Sequence, residues 1–148
     1  MENVFQDYLI NDEREKTDLE FVHRELSQSY WAKNIPLEIV RRGIENSVCF
    51  NIFRDKEQVG FARVITDKST FGYLCDVIIN EQHRGKGLGK ALMKFIMEHP
   101  DLQGFRRFTL GTRDAHGLYE QFGFHTPKFP DRQMEISRPG LYENKKEI

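Results

Sequence analysis

Apolar residues in the first part of the chain mark an extended segment followed by two helices. Val4 to Ile10 is rich in β-forming residues and predicts a short strand. Thr17 and Glu20 stand at the spacing of a capping box, so a helix is predicted from there to about Ser29. Pro36 suits the first turn of a second helix. The apolar face of the first helix repeats every three or four residues, at Leu19, Val22, Leu26 and Tyr30.

The apolar pattern then changes to that of strands. Val48 to Phe53 and Val59 to Ile65 are rich in β-branched and aromatic residues. The polar residues 54–57 between these two runs predict a hairpin. Thr70 to Asn80 is the longest and most apolar of the three runs, which predicts a strand covered on both faces.

The last third of the chain mixes helices and strands. A helix is predicted from Leu88 to a stop at Pro100, and Asp114 can cap a short helix that Gly123 closes. The predicted strands are Arg107 to Leu110, the region of Phe124, and Arg132 to Ile136. The final residues, ENKKEI, are expected to be solvated. This order of elements predicts an α+β or mixed α/β sandwich rather than a regular β-α-β repeat.

Composition narrows the class of protein. The 148 residues are 39% hydrophobic and 30% charged, so we expect residues 1–148 to form one globular domain. A net charge of -1 argues against nucleic acid or an anionic membrane as partner. The charged N-terminus and the lack of a long apolar run predict a cytoplasmic protein. Cys49 and Cys75 form no CxxC pair and the histidines show no ligand spacing, so no metal is predicted.

The segment EQHRGKGLGK, residues 81–90, joins the apolar strand to the helix after it. A glycine-rich turn that opens a helix presents free amides and the positive end of the helix dipole, which suits a phosphate. The dinucleotide pattern GxGxxG fails because Lys90 stands where the last glycine belongs. Walker A fails because Gly85 and Gly89 enclose three residues instead of four. A surface turn with solvated lysines is the alternative interpretation.

The remaining pattern has Gln82, Gly85 and Gly87 directly after a strand, and it resembles the acetyl-CoA loop of the GNAT superfamily of N-acetyltransferases. The segment LYEQFGF, residues 118–124, resembles the Tyr-x-x-x-Gly-Phe segment of the same family. The resemblance extends over about residues 48–124 in the order of elements. It implies a central, mostly antiparallel, splayed sheet flanked by helices, with acetyl-CoA as cosubstrate and no metal.

The resemblance also implies where coenzyme A binds. Its pyrophosphate would contact the loop, because glycine leaves the backbone open and basic side chains add local charge. Its pantetheine arm would pair with backbone groups of the preceding strand. The implied strand contacts are Val77, Ile78 and Ile79. The implied loop contacts are Arg84, Gly85, Lys86, Gly87, Leu88, Gly89 and Lys90, and Asp114 is counted with them. Gly117 is expected to leave space for the arm.

Acetyl transfer to an amine needs a base for the amine, a donor to the carbonyl oxygen and an acid for the thiolate. A strand amide near Ile78 or Ile79 is the expected donor. Tyr119 matches the general acid of many family members and is expected to protonate the thiolate; otherwise it only packs in the core. His116 lies one helical turn before Tyr119 and would tune it, relay a proton or touch the cofactor. The alternative for His116 is a polar contact at the helix start.

Asp76 stands in an apolar strand, where a carboxylate needs a partner or a task. Alternation places it on one face with Leu74 and Ile78. It could take the amine proton or hold a cationic acceptor, and the alternative is a carboxylate satisfied by neighbouring Arg63.

The prediction for the acceptor depends on an aromatic pair near the N-terminus. Tyr30 and Trp31, at the junction of the first two helices, could wall an acceptor pocket together with Asp76 or fill the core. A small amine is favoured over a protein amine, and a homodimer is possible. The alternative function is a catalytically weak acyl-CoA-binding or regulatory module.

Overall fold

The computed structural model describes residues 1–143, which contain a six-stranded sheet with helices on both faces. The strands are β1 (Glu2–Phe5), β2 (Tyr8–Asn11), β3 (Val48–Arg54), β4 (Glu57–Thr66), β5 (Phe71–Ile79) and β6 (Arg107–Leu110). The helices are α1 (Leu19–Ser27), α2 (Leu37–Glu45), α3 (Leu88–Met97) and α4 (His116–Glu120). The strand order follows the chain, and only β5 and β6 are parallel. The predicted mixed α/β class with a mostly antiparallel sheet is confirmed.

The N-terminal segment differs from its prediction. The single strand predicted for Val4 to Ile10 is wrong, because the chain reverses at Gln6, which has a left-handed φ of 54°, and forms the hairpin β1–β2. The predicted capping box is also wrong. The Asp18 side chain caps α1 by accepting from the amides of Glu20 and Phe21, a common role for Asp at this position.

Two apolar clusters lie on opposite faces of the sheet. On one face, α3 and Tyr119 of α4 pack against β2 to β5. On the other face, α1 and α2 pack against Cys49, Phe61 and Ile78. None of the helices within residues 1–143 is long and apolar enough to cross a membrane.

The hairpin predicted from Val48 to Ile65 is confirmed by β3 and β4. Strand β5 contains an irregularity that the sequence did not reveal. Its register against β4 shifts between Phe61 and Arg63, and Asp76 opposite this shift has a φ of 53°. A bulge of this kind interrupts the alternation of faces. The prediction that Leu74 and Ile78 share a face is therefore wrong, since they belong to opposite clusters.

The structure confirms the predictions for α3 and β6 but not those for the strands after α4. Helix α3 begins at Leu88 as predicted and ends before Pro100. The strands predicted near Phe124 and at Arg132 to Ile136 are not formed within residues 1–143. The described residues after α4 contain a short 3₁₀ turn at Pro130–Arg132 instead. The terminal residues predicted to be solvated, 143–148, lie almost entirely outside the described residues.

Candidate functional site

A cleft opens in the sheet where β5 and β6 separate. The two strands pair only at four positions, from Phe71 opposite Arg107 to Leu74 opposite Leu110. Beyond Leu74, β5 continues to Ile79 while paired on its other side with β4. The β6-facing edge of residues 75–79 therefore has no strand beside it within the described part of the chain. An edge of this kind can pair with an extended ligand through backbone hydrogen bonds.

The direction of the β5 amides follows from one hydrogen bond. The amide of Asn80 donates to the carbonyl oxygen of Val59 on the β4 side, at 2.8 Å. Successive backbone groups along a strand point to alternate sides. The amide of Ile79 consequently points into the cleft, whereas that of Ile78 points toward β4, where Ile78 pairs with Phe61. Of the two donors predicted for the carbonyl oxygen, Ile79 has the suitable direction.

The loop after β5 is held at the end of this cleft by contacts with three elements. The Asn80 side chain donates to Glu25 on α1 at 2.7 Å. His83 shares a hydrogen bond of 2.9 Å with the hydroxyl of Tyr8 on β2. Arg84 Nε donates to the carbonyl oxygen of Ile79 at 3.0 Å. The loop conformation is therefore fixed by the fold, which lowers the entropy cost of binding a ligand there.

Two glycines give this loop a backbone that other residues adopt with difficulty. Gly85 has a φ of 77° and Gly87, which directly precedes α3, has a φ of 84°. A β-carbon at position 85 would have no neighbour within 4 Å, so the space above the backbone is open. At position 87 it would lie 3.4 Å from Phe5. The glycines and the start of α3 thus form an open cradle of amides that fits a phosphate.

The remaining predicted loop residues divide by exposure. Lys86 and Lys90 are exposed and add positive charge to the cradle. Leu88 is buried in the core, with 2% of its surface exposed, so only its backbone amide is available to a ligand. Gly89 lies against α4, since a β-carbon there would be 3.6 Å from Leu118. The loop and α4 are therefore neighbours.

Tyr119 is on α4, with its ring packed in the core and 8% of its surface exposed. Burial raises the pKa of the Tyr119 phenol, and the nearby Tyr30 adds to this. The phenol therefore keeps its proton throughout the neutral range. Tyr119 and His116 both line a cavity of about 640 Å³, which lies beside β6 and the segment 122–133 rather than at the glycine loop.

Asp114 does not cap α4 as predicted. Ala115 occupies the N-cap position, and its amide donates to the Thr112 hydroxyl at 3.0 Å. The Asp114 side chain is exposed, and its contact with a cofactor stays a prediction.

Asp76 is held by two side chains. Its Oδ2 lies 2.7 Å from Nε of Arg63, and its Oδ1 accepts from the Trp31 indole at 2.9 Å. The Asp76 and Arg63 side chains are only 10% and 21% exposed. Arg63 also donates to the Ser47 hydroxyl. The alternative interpretation, a carboxylate satisfied by Arg63, therefore has direct structural support, while a role as base stays a prediction.

Tyr30 and Trp31 lie beside this carboxylate rather than in the core. They are 54% and 48% exposed, and their rings meet edge to face at 5.0 Å. Sequence reasoning missed their neighbour Arg113, whose guanidinium carbon is 3.8 Å from the centre of the Tyr30 ring. No local motif could reveal this contact, because it joins the α1–α2 loop to the β6–α4 loop.

Known proteins resemble this chain in sequence and in structure. The family model for the GNAT acetyltransferases matches residues 10–124. A candidate acetyltransferase of Gibberella zeae is 31% identical, with 76% of each chain covered. The crystal structure of a GNAT-family candidate acetyltransferase from Xanthomonas campestris pv. campestris is 50% identical, with a TM-score of 0.92 over 95% of this chain and 100% of that one.

A more distant structure shares the fold alone. The glucosamine-6-phosphate N-acetyltransferase of Arabidopsis thaliana is 20% identical, with a TM-score of 0.64 over 88% of this chain and 97% of that one. The chain belongs to the GNAT family of acetyltransferases.

Proposed function

We propose that this GNAT-family protein transfers an acetyl group from acetyl-CoA to a primary amine by direct attack. The observation that carries the proposal is the cleft beside residues 75–79, which ends at the glycine cradle before α3. The cradle suits the pyrophosphate of coenzyme A, and the open edge of β5 suits its pantetheine arm. This arrangement supports acetyl-CoA over a nucleotide without a pantetheine arm. A site for such a nucleotide needs the glycine cradle but has no use for the open strand edge beside it.

The residues of the chain supply two of the three requirements of the reaction. The Ile79 amide points into the cleft and can donate to the carbonyl oxygen as it gains negative charge. Tyr119 keeps its proton because its pKa is raised, so it can give that proton to the departing thiolate. The base for the amine is the third requirement, and Asp76 and His116 are the candidates. The ion pair between Asp76 and Arg63 supports a positioning role for Asp76, which leaves His116 or water to accept the proton.

Titration with acetyl-CoA by isothermal calorimetry, beside NADH and ATP, tests the cofactor. Gly85→Val is the test variant and Gly104→Val is its matched control. Both glycines have nearly the same φ, 77° and 75°, and open space around a β-carbon. Each substitution should therefore cost about the same 1–2 kcal/mol of stability. Only Gly85→Val should weaken acetyl-CoA binding, by at least tenfold. Equal affinities in the two variants would contradict the proposal.

A catalytically weak acyl-CoA-binding or regulatory module remains the second candidate function. It predicts acetyl-CoA binding without release of free thiol in the presence of any amine. A small amine as acceptor, a single domain over residues 1–148, a cytoplasmic location and a homodimer stay predictions.

A further inference from the structure

The open end of the cleft is bordered by a cluster of one tyrosine, one tryptophan and one arginine, which we name the Tyr30–Arg113 cluster. Its members are Tyr30, Trp31 and Arg113. Arg113 stacks on Tyr30 at 3.8 Å, and Trp31 meets Tyr30 edge to face. Arg113 stands three residues before the start of α4, the helix that carries Tyr119. The cluster is therefore linked to β5 through the hydrogen bond from Trp31 to Asp76 and to the helix of the proposed general acid through the β6–α4 loop.

Two of the carboxylates near this cluster already have a cationic partner. Asp76, the nearest carboxylate to Trp31, is already paired with Arg63. Glu143 pairs with Lys33 at 3.9 Å, and both residues line a cavity of about 310 Å³ together with Tyr30, Trp31 and Arg138. Within residues 1–143, Arg113 forms no ion pair with a carboxylate. Arg113 is therefore available to bind an anionic group.

We propose that the acetyl acceptor is an amine that also carries a carboxylate or phosphate group, which Arg113 binds at the rim of the cleft. The inference rests on the proposed function and names its substrate class. A guanidinium presents a planar fork of donors that matches the oxygens of a carboxylate or phosphate. Stacking on Tyr30 fixes the plane of that fork before the ligand arrives, which reduces the entropy cost of binding. The anchored anion then leaves the amine of the same molecule facing the cleft beside Tyr119.

A cationic acceptor held by Asp76 is the competing idea. The carboxylate would have to exchange its contacts with Arg63 and Trp31 for the ligand. That exchange would leave the Arg63 charge partly buried without its partner, which is costly. The structure therefore favours Arg113 over Asp76 as the charged anchor.

Trp31 is the only tryptophan in the chain, so its fluorescence reports on this cluster directly. Protein saturated with coenzyme A, to occupy the glycine cradle, is titrated with inorganic phosphate and separately with acetate, against chloride at equal ionic strength. A saturable change in Trp31 emission is expected with at least one anion. Arg113→Gln should weaken that anion at least tenfold, and Arg113→Lys should restore part of the affinity. Lys56→Gln, which removes an exposed charge in the β3–β4 turn, should change it less than threefold.

The two anions distinguish the two sources of negative charge. Saturation with phosphate alone indicates a phosphorylated amine, and saturation with acetate indicates an amino acid or a related amine. No saturable change with either anion, or equal affinities in wild type and Arg113→Gln, overturns the inference.

A kinetic comparison separates this inference from the proposed function. Thiol release is measured with lysine against cadaverine, which lacks the carboxylate, and with glucosamine 6-phosphate against glucosamine. The member that carries the carboxylate or phosphate should have a kcat/KM at least tenfold higher in at least one pair, and Arg113→Gln should remove that preference through KM. Turnover that favours cadaverine and glucosamine, the members without the anionic group, overturns the inference while supporting acetyl transfer. Failure of acetyl-CoA to bind in calorimetry overturns the proposed function instead, and the anion titration without coenzyme A then decides the role of Arg113.

Discussion

Substitution of Asp76 by alanine separates a positioning ion pair from a catalytic base. The carboxylate is 2.7 Å from Arg63 and 2.9 Å from the Trp31 indole. Removal of one partner of a buried pair costs about 3–5 kcal/mol, and the exposure of Arg63 places this pair near the lower limit, at about 3 kcal/mol. In a chain of this size that corresponds to a fall in melting temperature of about 10 °C.

Two further variants show that the loss comes from the unpaired charge. The double variant Asp76→Ala with Arg63→Met leaves no buried charge, so it should recover most of the lost stability. Glu38→Ala breaks the exposed pair with Arg41 and should cost less than about 1 kcal/mol. Thermal unfolding followed by circular dichroism measures all three.

Rates of thiol release between pH 6 and pH 10 then complete the test. If Asp76 only positions Trp31 and the bulge of β5, the double variant should keep the pH profile of the wild type and a rate within about tenfold of it. A stable double variant without activity would identify Asp76 as the base. A melting temperature of Asp76→Ala equal to that of the wild type would refute the reasoning about the ion pair.

Three further predictions concern Tyr119, the two cysteines and Gly117. Tyr119→Phe should lower kcat about 100-fold with little change in the KM for acetyl-CoA, and an unchanged kcat would remove Tyr119 from the mechanism. Because burial raises the pKa of this phenol, ionisation of Tyr119 should not lower the wild-type rate below about pH 10. Burial raises the pKa of Cys75 to about 12 and that of Cys49 to about 11, so iodoacetamide at pH 8 should leave both thiols of the native protein unmodified and alkylate both in urea. Their contribution to the free energy of unfolding is complete below the ordinary thiol pKa and is lost as pH rises through 11 to 12. Rapid alkylation of the native protein, measured by mass spectrometry, would contradict their burial. Gly117 has no neighbour within 4 Å of a β-carbon, so Gly117→Leu should weaken acetyl-CoA binding in calorimetry more than it lowers the melting temperature, whereas equal losses would show that the glycine serves folding.

Local patterns in the sequence determined the elements whose signals are contained within a few residues. The hairpin of β3 and β4, the start of α3 and the left-handed turn at Gly85 and Gly87 all follow from spacing, turn residues and glycine. Each of these depends on neighbours in the chain, and backbone sterics act at that range. The same locality explains the errors. The reversal at Gln6 uses no glycine or proline, so one strand was predicted where two are formed.

Tertiary structure alone decided the arrangement of the residues in the candidate site. The bulge at Asp76 moves Leu74 and Ile78 to opposite faces, and the separation of β6 from β5 leaves the Ile79 amide facing a cleft. The contacts of Asp76 with Arg63 and Trp31, and of Arg113 with Tyr30, join residues from 13 to 83 positions apart. A sequence pattern states which residues can carry a charge or a proton. Which charges neutralise each other, and which stay available to a substrate, depends on distances and burial that exist only after these separate segments have packed together.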